Sequence, residues 1–152
     1  MTKLQILTTI FSVLFLTNCK NAEIMKYKVG QEWKYKTRKG EENSTLKILK
    51  IEEYPKTGKI IHISISGLKV VSPDSKDGFA NELTHIPITE EALDESVTEL
   101  KNEKIKLPNK IEGYDYWKKE FDEGTAGVFS ISVVEIVESM EEAILTGNGV
   151  VK

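Results

Sequence analysis

The sequence predicts an α+β fold: an antiparallel meander of about four to five strands packed with two to three C-terminal helices. Two observations carry that expectation. Residues 31 to 68 alternate apolar and polar side chains in three stretches separated by turn residues, whereas residues 89 to 145 repeat apolar side chains at helical spacing. Strands followed by helices imply segregated layers, since a parallel sheet would interleave the two.

The first strand is expected over Gln31 to Thr37, with Trp33, Tyr35 and Thr37 on one face and charged residues on the other. Arg38 to Asn43 reads as a polar turn. Ser44 to Glu53 is rich in β-formers and is broken by Pro55 and Gly58. Lys59 to Leu68 (KIIHISISGL) places Ile61, Ile63 and Ile65 on one face and His62, Ser64 and Ser66 on the other. His62 is therefore expected on a solvated face. Short connections make antiparallel neighbours of these strands.

Val71 to Asn81 carries Pro73, Asp74, Asp77 and Gly78 and is expected as a loop. Leu83 to Ile88 is expected as a short strand that Pro87 confines to an edge or an end, and His85 within it is expected to make a structural hydrogen bond. Thr89 is a strong helix cap, supported by Glu90 and Glu91 in the first turn and an Ile88/Leu93 staple. Leu93, Val97 and Leu100 would continue that helix as one apolar stripe. Lys101 to Lys110 is charged and broken by Pro108. Tyr114, Trp117 and Phe121 predict a second helix closed near Gly124, and Gly127 to Ile131 a short strand. Ser132 and Glu135 form a capping box, after which Val133, Ile136, Val137 and Met140 face the core of a helix ending near Leu145, ahead of Gly147.

The amino terminus has a different character. Lys3 precedes Leu4 to Leu16 (LQILTTIFSVLFL), a run that would reach only about 20 Å as a helix against a hydrocarbon core of ~30 Å. That is the length of a signal peptide and too short for a membrane span. It ends in Leu16-Thr17-Asn18-Cys19, and Cys19 is the chain's single cysteine. This tetrapeptide resembles the lipobox of bacterial lipoproteins. The resemblance implies acylation of Cys19, cleavage before it, and attachment to a membrane of the cell envelope. Lys20, where an Asp would signal inner-membrane retention in enteric-type lipoproteins, makes the outer membrane the expected site if the host has one. The expected organisation is signal peptide 1–18, polar tether 19–28, one α+β domain 29–147 and tail 148–152. From Tyr27 onward the chain also resembles a family of small bacterial proteins, through KVGQEWKYKTRKGEENSTLKILKIE, HISISGLKV and FDEGTAGVFSISVVEIVESME. That resemblance implies an element order and no activity.

Composition narrows the chemistry. A net charge of −3 disfavours non-specific nucleic-acid binding, which needs a basic face. Two histidines and one cysteine committed to lipid provide no zinc ligand set and no recognisable nucleophile–base pair, so no metal, cofactor or catalytic residue is expected. Glu90, Glu91, Asp94 and Glu95, and Glu138, Glu141 and Glu142, read as solvated helix faces. Gly113, Gly124 and Gly127 lack the Lys-Ser/Thr of a phosphate loop. Trp33, Tyr35, Tyr114, Trp117 and Phe121 are candidates to line a ligand cavity or to form core. Gly30 and Trp33 resemble, with one residue added between them, the Gly-x-Trp opening of lipocalins, but such a barrel needs about eight strands. The first functional expectation is a non-enzymatic, membrane-anchored module that binds an envelope protein, toxin immunity being one form. The second is a carrier or sensor of a small apolar ligand.

Overall fold

The structure is a computed structural model that describes residues 26–147. Its elements are β1 (Glu32–Tyr35), β2 (Thr45–Tyr54), β3 (Gly58–Val71), β4 (Phe79–Thr89), α1 (Glu90–Ser96), β5 (Val97–Asn102), α2 (Tyr114–Asp122) and α3 (Val133–Thr146). The strands form one antiparallel sheet in the order β4-β3-β2-β1-β5. The α+β class is as the sequence predicts, with β1 to β4 as a meander. Pro87 lies in β4, the edge strand, where a missing N–H costs no ladder bond on the open side.

One face of the sheet carries the main core. Leu46, Ile48, Ile61, Ile63, Ile65, Ile86 and Ile88 pack under Ala92 and Leu93 of α1 and Val133, Ile136 and Val137 of α3. Every one of these side chains is at most 2% exposed. The Thr89 hydroxyl accepts from the Ala92 N–H, and Ser132 with Glu135 completes the expected capping box. The Ser96 hydroxyl accepts the Val133 N–H at 2.9 Å and so ties the end of α1 to the start of α3.

A bulge in β2 sets the opposite face. Ile48 pairs with Ile63 and Lys50 with His62, so Leu49 is an extra residue and the side-chain alternation reverses after it. Ile51 then rejoins the core face, and Lys50 and Glu52 move to the other side with His62. α2 covers that second face: Trp117 meets His62 at 4.9 Å between ring centroids, and Phe121 meets Tyr54 at 5.1 Å. The helices therefore do not share one layer. His62 is 0% exposed, and its expected place on a solvated face is corrected by the arrival of α2.

Other boundaries also differ from expectation. The helix begun at Thr89 stops at Ser96, and Val97 to Asn102 pairs with β1 as β5. The free edge of β1 offers those residues a ladder, which outweighs the continuation of a weak helical stripe. β4 begins at Phe79, earlier than expected, as the partner of the long β3. The segment 127–131 contributes one parallel bridge, between Phe129 and Ile88. Tyr27, expected in the tether, is 1% exposed and donates its hydroxyl to Asp94 at 2.5 Å.

Two acidic residues expected on solvated faces hold the fold together. Asp94 accepts from Lys26 and Tyr27, which docks the start of the described chain on α1. Glu141 of α3 pairs with Arg38 at 2.6 Å and accepts the Val71 N–H at 2.9 Å. Arg38 also binds Glu41, which is 5% exposed and accepts the Lys69 N–H. Those contacts hold the Glu41 carboxyl below its usual range despite partial burial. Charge-assisted bonds of this kind join α3, the β1–β2 turn and the end of β3.

Candidate functional site: a histidine pair at the edge of an aromatic cleft

The second face of the sheet assembles a polar chain from three strands. Register places Lys50 opposite His62, and His62 opposite Pro87. With a side-chain period of two, Glu52 and His85 are then diagonal neighbours of His62 on the same face. The His85 Nε2 and His62 Nδ1 are 2.9 Å apart, and the His62 Nε2 and Glu52 Oε2 are 3.0 Å apart. The Tyr114 hydroxyl donates to the same carboxylate at 2.8 Å and receives the Lys50 ammonium at 2.5 Å. Lys50 also pairs with Glu52 at 3.3 Å.

Charge fixes the direction of the chain. Burial alone would raise the Glu52 carboxyl, but hydrogen bonds from Tyr114 and Lys50 and the nearby cation bring it below its usual range. Burial pushes His62 down, against the pull of Glu52, and pushes His85 down to about 4, with His62 adding to the effect. Both rings are neutral at neutral pH. An ionised Glu52 can only accept, so His62 carries its proton on Nε2 and accepts at Nδ1. His85 must then donate from Nε2. Its Nδ1 is left as a lone pair with no hydrogen-bond partner among the described residues.

That ring lines an open cleft of about 440 Å³ between β4, α2 and the segment Thr125–Phe129. Volumes of this order hold small organic ligands. Trp117 forms one wall, and its indole N–H donates to the Gly127 carbonyl at 2.9 Å, joining α2 to the segment opposite. Phe129 is fixed to β4 by bonds from its N–H to the Pro87 carbonyl and from the Thr89 N–H to its own carbonyl, each 2.9 Å. Gly113 precedes α2 at φ +83, a left-handed backbone, and a Cβ there would lie 3.6 Å from the His85 Cβ. Tyr116, 73% exposed, stands at the mouth.

The five aromatic candidates separate into two groups. Trp33 and Tyr35 belong to the main core face: Tyr35 bonds Ser44 at 2.7 Å, and Trp33 meets Tyr27 edge to face at 5.5 Å. Tyr114, Trp117 and Phe121 lie on the other face with the histidines, and of these Trp117 reaches the cleft. Sequence reasoning missed the linkage of Glu52, His62 and His85. The available signal was an aromatic helix face that required a surface to cover, together with polar residues on the only uncovered face. His85 does make the structural hydrogen bond expected of it.

Cys19 lies outside the described residues, as do the signal peptide, most of the tether and the tail at 148–152. Among the described residues no group of three or more His, Cys, Asp or Glu could hold a metal ion, and no helix is long and apolar enough to cross a membrane. No protein-family model, curated protein or solved structure matches the chain.

Proposed function

We propose that this protein is a lipid-anchored envelope protein whose domain binds a small, largely apolar ligand in the cleft between β4 and α2, without catalysing its conversion. The observation that carries the ligand reading is the cleft itself: a cavity of about 440 Å³ walled by Trp117, Val128 and Phe129, with a few polar side chains, among them His85 with its uncommitted nitrogen. Few polar groups in an apolar concavity are the usual composition of a ligand site. The same observation favours a small ligand over a protein partner, because a concave, mainly apolar site with a few polar groups suits a compact molecule. Anchorage rests on Lys3, the apolar run to Leu16 and the lipobox-like ending at Cys19. Burial pushes the His85 ring down to about 4, so it is neutral at neutral pH and can accept a hydrogen bond from a ligand.

The test is a fluorescence titration of the full chain with N-phenyl-1-naphthylamine, a neutral dye that brightens in apolar sites. Wild type should give saturable enhancement. A Cβ at Gly127 meets nothing within 4 Å, so Gly127→Phe can fill the cleft without displacing the backbone. That variant should lose most of the enhancement while keeping its melting temperature. Equal enhancement from both proteins would place the dye elsewhere and remove the reading.

A further inference from the structure

The cleft has a charge as well as a shape. Two carboxylates, Glu112 and Glu120, line it, and no lysine or arginine does. The cations nearest along the chain are engaged with other carboxylates: Lys110 with Asp115, Lys118 with Asp122 and Lys119 with Glu123. Neither Glu112 nor Glu120 has an ion-pair partner among the described residues. Glu120 accepts from the Thr125 hydroxyl at 2.7 Å, which holds it in place and leaves further lone pairs for a donor.

The remaining polar and aromatic groups point to the same kind of ligand. His85 Nδ1 presents a lone pair, because the chain through His62 to Glu52 fixes its tautomer. Tyr116 and Trp117 add aromatic rings to the lining, and rings of this kind attract cations over their faces. An ammonium has three N–H donors and no acceptor. An anion would face two carboxylates and a lone pair, and a neutral alcohol would use only the acceptors. Resting on the ligand reading above, we propose that the cleft takes a protonated amine carried on a small apolar body. The ammonium is shared between the acidic rim and His85, and the apolar body lies along Trp117 and Phe129.

Calorimetric titration of the full chain with three probes that share a phenyl-alkyl body separates the alternatives: 2-phenylethylamine, 2-phenylethanol and 3-phenylpropionate, near neutral pH. The amine should bind at least tenfold more tightly than the alcohol, about 1.4 kcal/mol, and the carboxylate more weakly than either. Glu112→Gln combined with Glu120→Gln should bring the amine down to the level of the alcohol. A melt of the double variant guards against unfolding, and the neutral dye should still titrate it. Alcohol or carboxylate binding as tight as the amine's would overturn the charge assignment and leave the cleft reading standing. So would an amine advantage that survives the double variant. Failure of all three probes while the dye still binds would also overturn the amine, whereas failure of the dye would remove the ligand reading itself.

Discussion

His62 is the residue on which the second face turns. Its ring is wholly buried, holds hydrogen bonds on both nitrogens and lies edge to edge with His85, the two ring planes within 13° of each other. His62→Ala removes a buried imidazole and strands two polar partners, so it should destabilise the fold by about 2–4 kcal/mol in denaturant melts. A loss under about 0.5 kcal/mol would contradict the packing described for α2. The histidines also set a pH dependence. Both have folded pKa values below the ordinary 6.5, so below that pH the unfolded chain binds more protons than the native one. Stability should be full above about pH 6.5 and fall as pH drops toward 4, with a slope of up to about 1.4 kcal/mol per pH unit for each ring. Glu41 and Glu52, held below 4.5, add their own loss at still lower pH. Melts across pH 4 to 7 check the sign, and a protein more stable at pH 5 than at pH 7 would be incompatible with neutral buried rings.

At the scale of elements, local capping chemistry and long-range pairing had different outcomes. Ser132 accepts the Glu135 N–H while the Glu135 carboxylate accepts the Ser132 N–H at 2.9 Å, so the start of α3 was legible from four consecutive residues. Ser132→Ala should cost about 0.5–2 kcal/mol, read as a lower denaturant midpoint at unchanged slope. An unaltered midpoint would mean that the core contacts of Val133 and Ile136 alone set the helix start. β5 shows the opposite case. Leu93, Val97 and Leu100 have helical spacing, yet the chain leaves the helix at Ser96, where the next residue pairs with Tyr35. A pairing partner more than sixty positions away in sequence leaves no local mark. Gly67 is similar: at φ +82, a Cβ on it would lie 3.0 Å from the Ser44 Cα, a proximity that only the assembled β2–β3 pair creates.

For the whole molecule, the main question is where the domain is held. The described chain begins against α1, with Lys26 and Tyr27 bound to Asp94, so a tether from Cys19 would meet the domain at that helix. Cys19→Ser should abolish lipidation, because no other thiol exists to take a diacylglycerol. Fractionation of the host decides it: a variant that still partitions with membranes in acylated, processed form would end the lipoprotein proposal.

The sequence by itself determined the fold class, the meander and the starts of α1 and α3, and limited Pro87 to an edge or an end. These follow from alternation, turn residues and caps, all short-range properties. It also placed Tyr114, Trp117 and Phe121 on one helix. Only the tertiary structure decided which surface that helix covers. The bulge at Leu49 reverses the alternation of β2 and carries Lys50 and Glu52 to the face of His62, and a reading with an uninterrupted period of two cannot place them there. With α2 laid over them, His62, which alternation assigns to water, is buried in a polar chain that ends at the His85 ring lining the cleft. The physical reason is that burial belongs to pairs of surfaces, and the sequence of one strand does not contain the surface that will cover it.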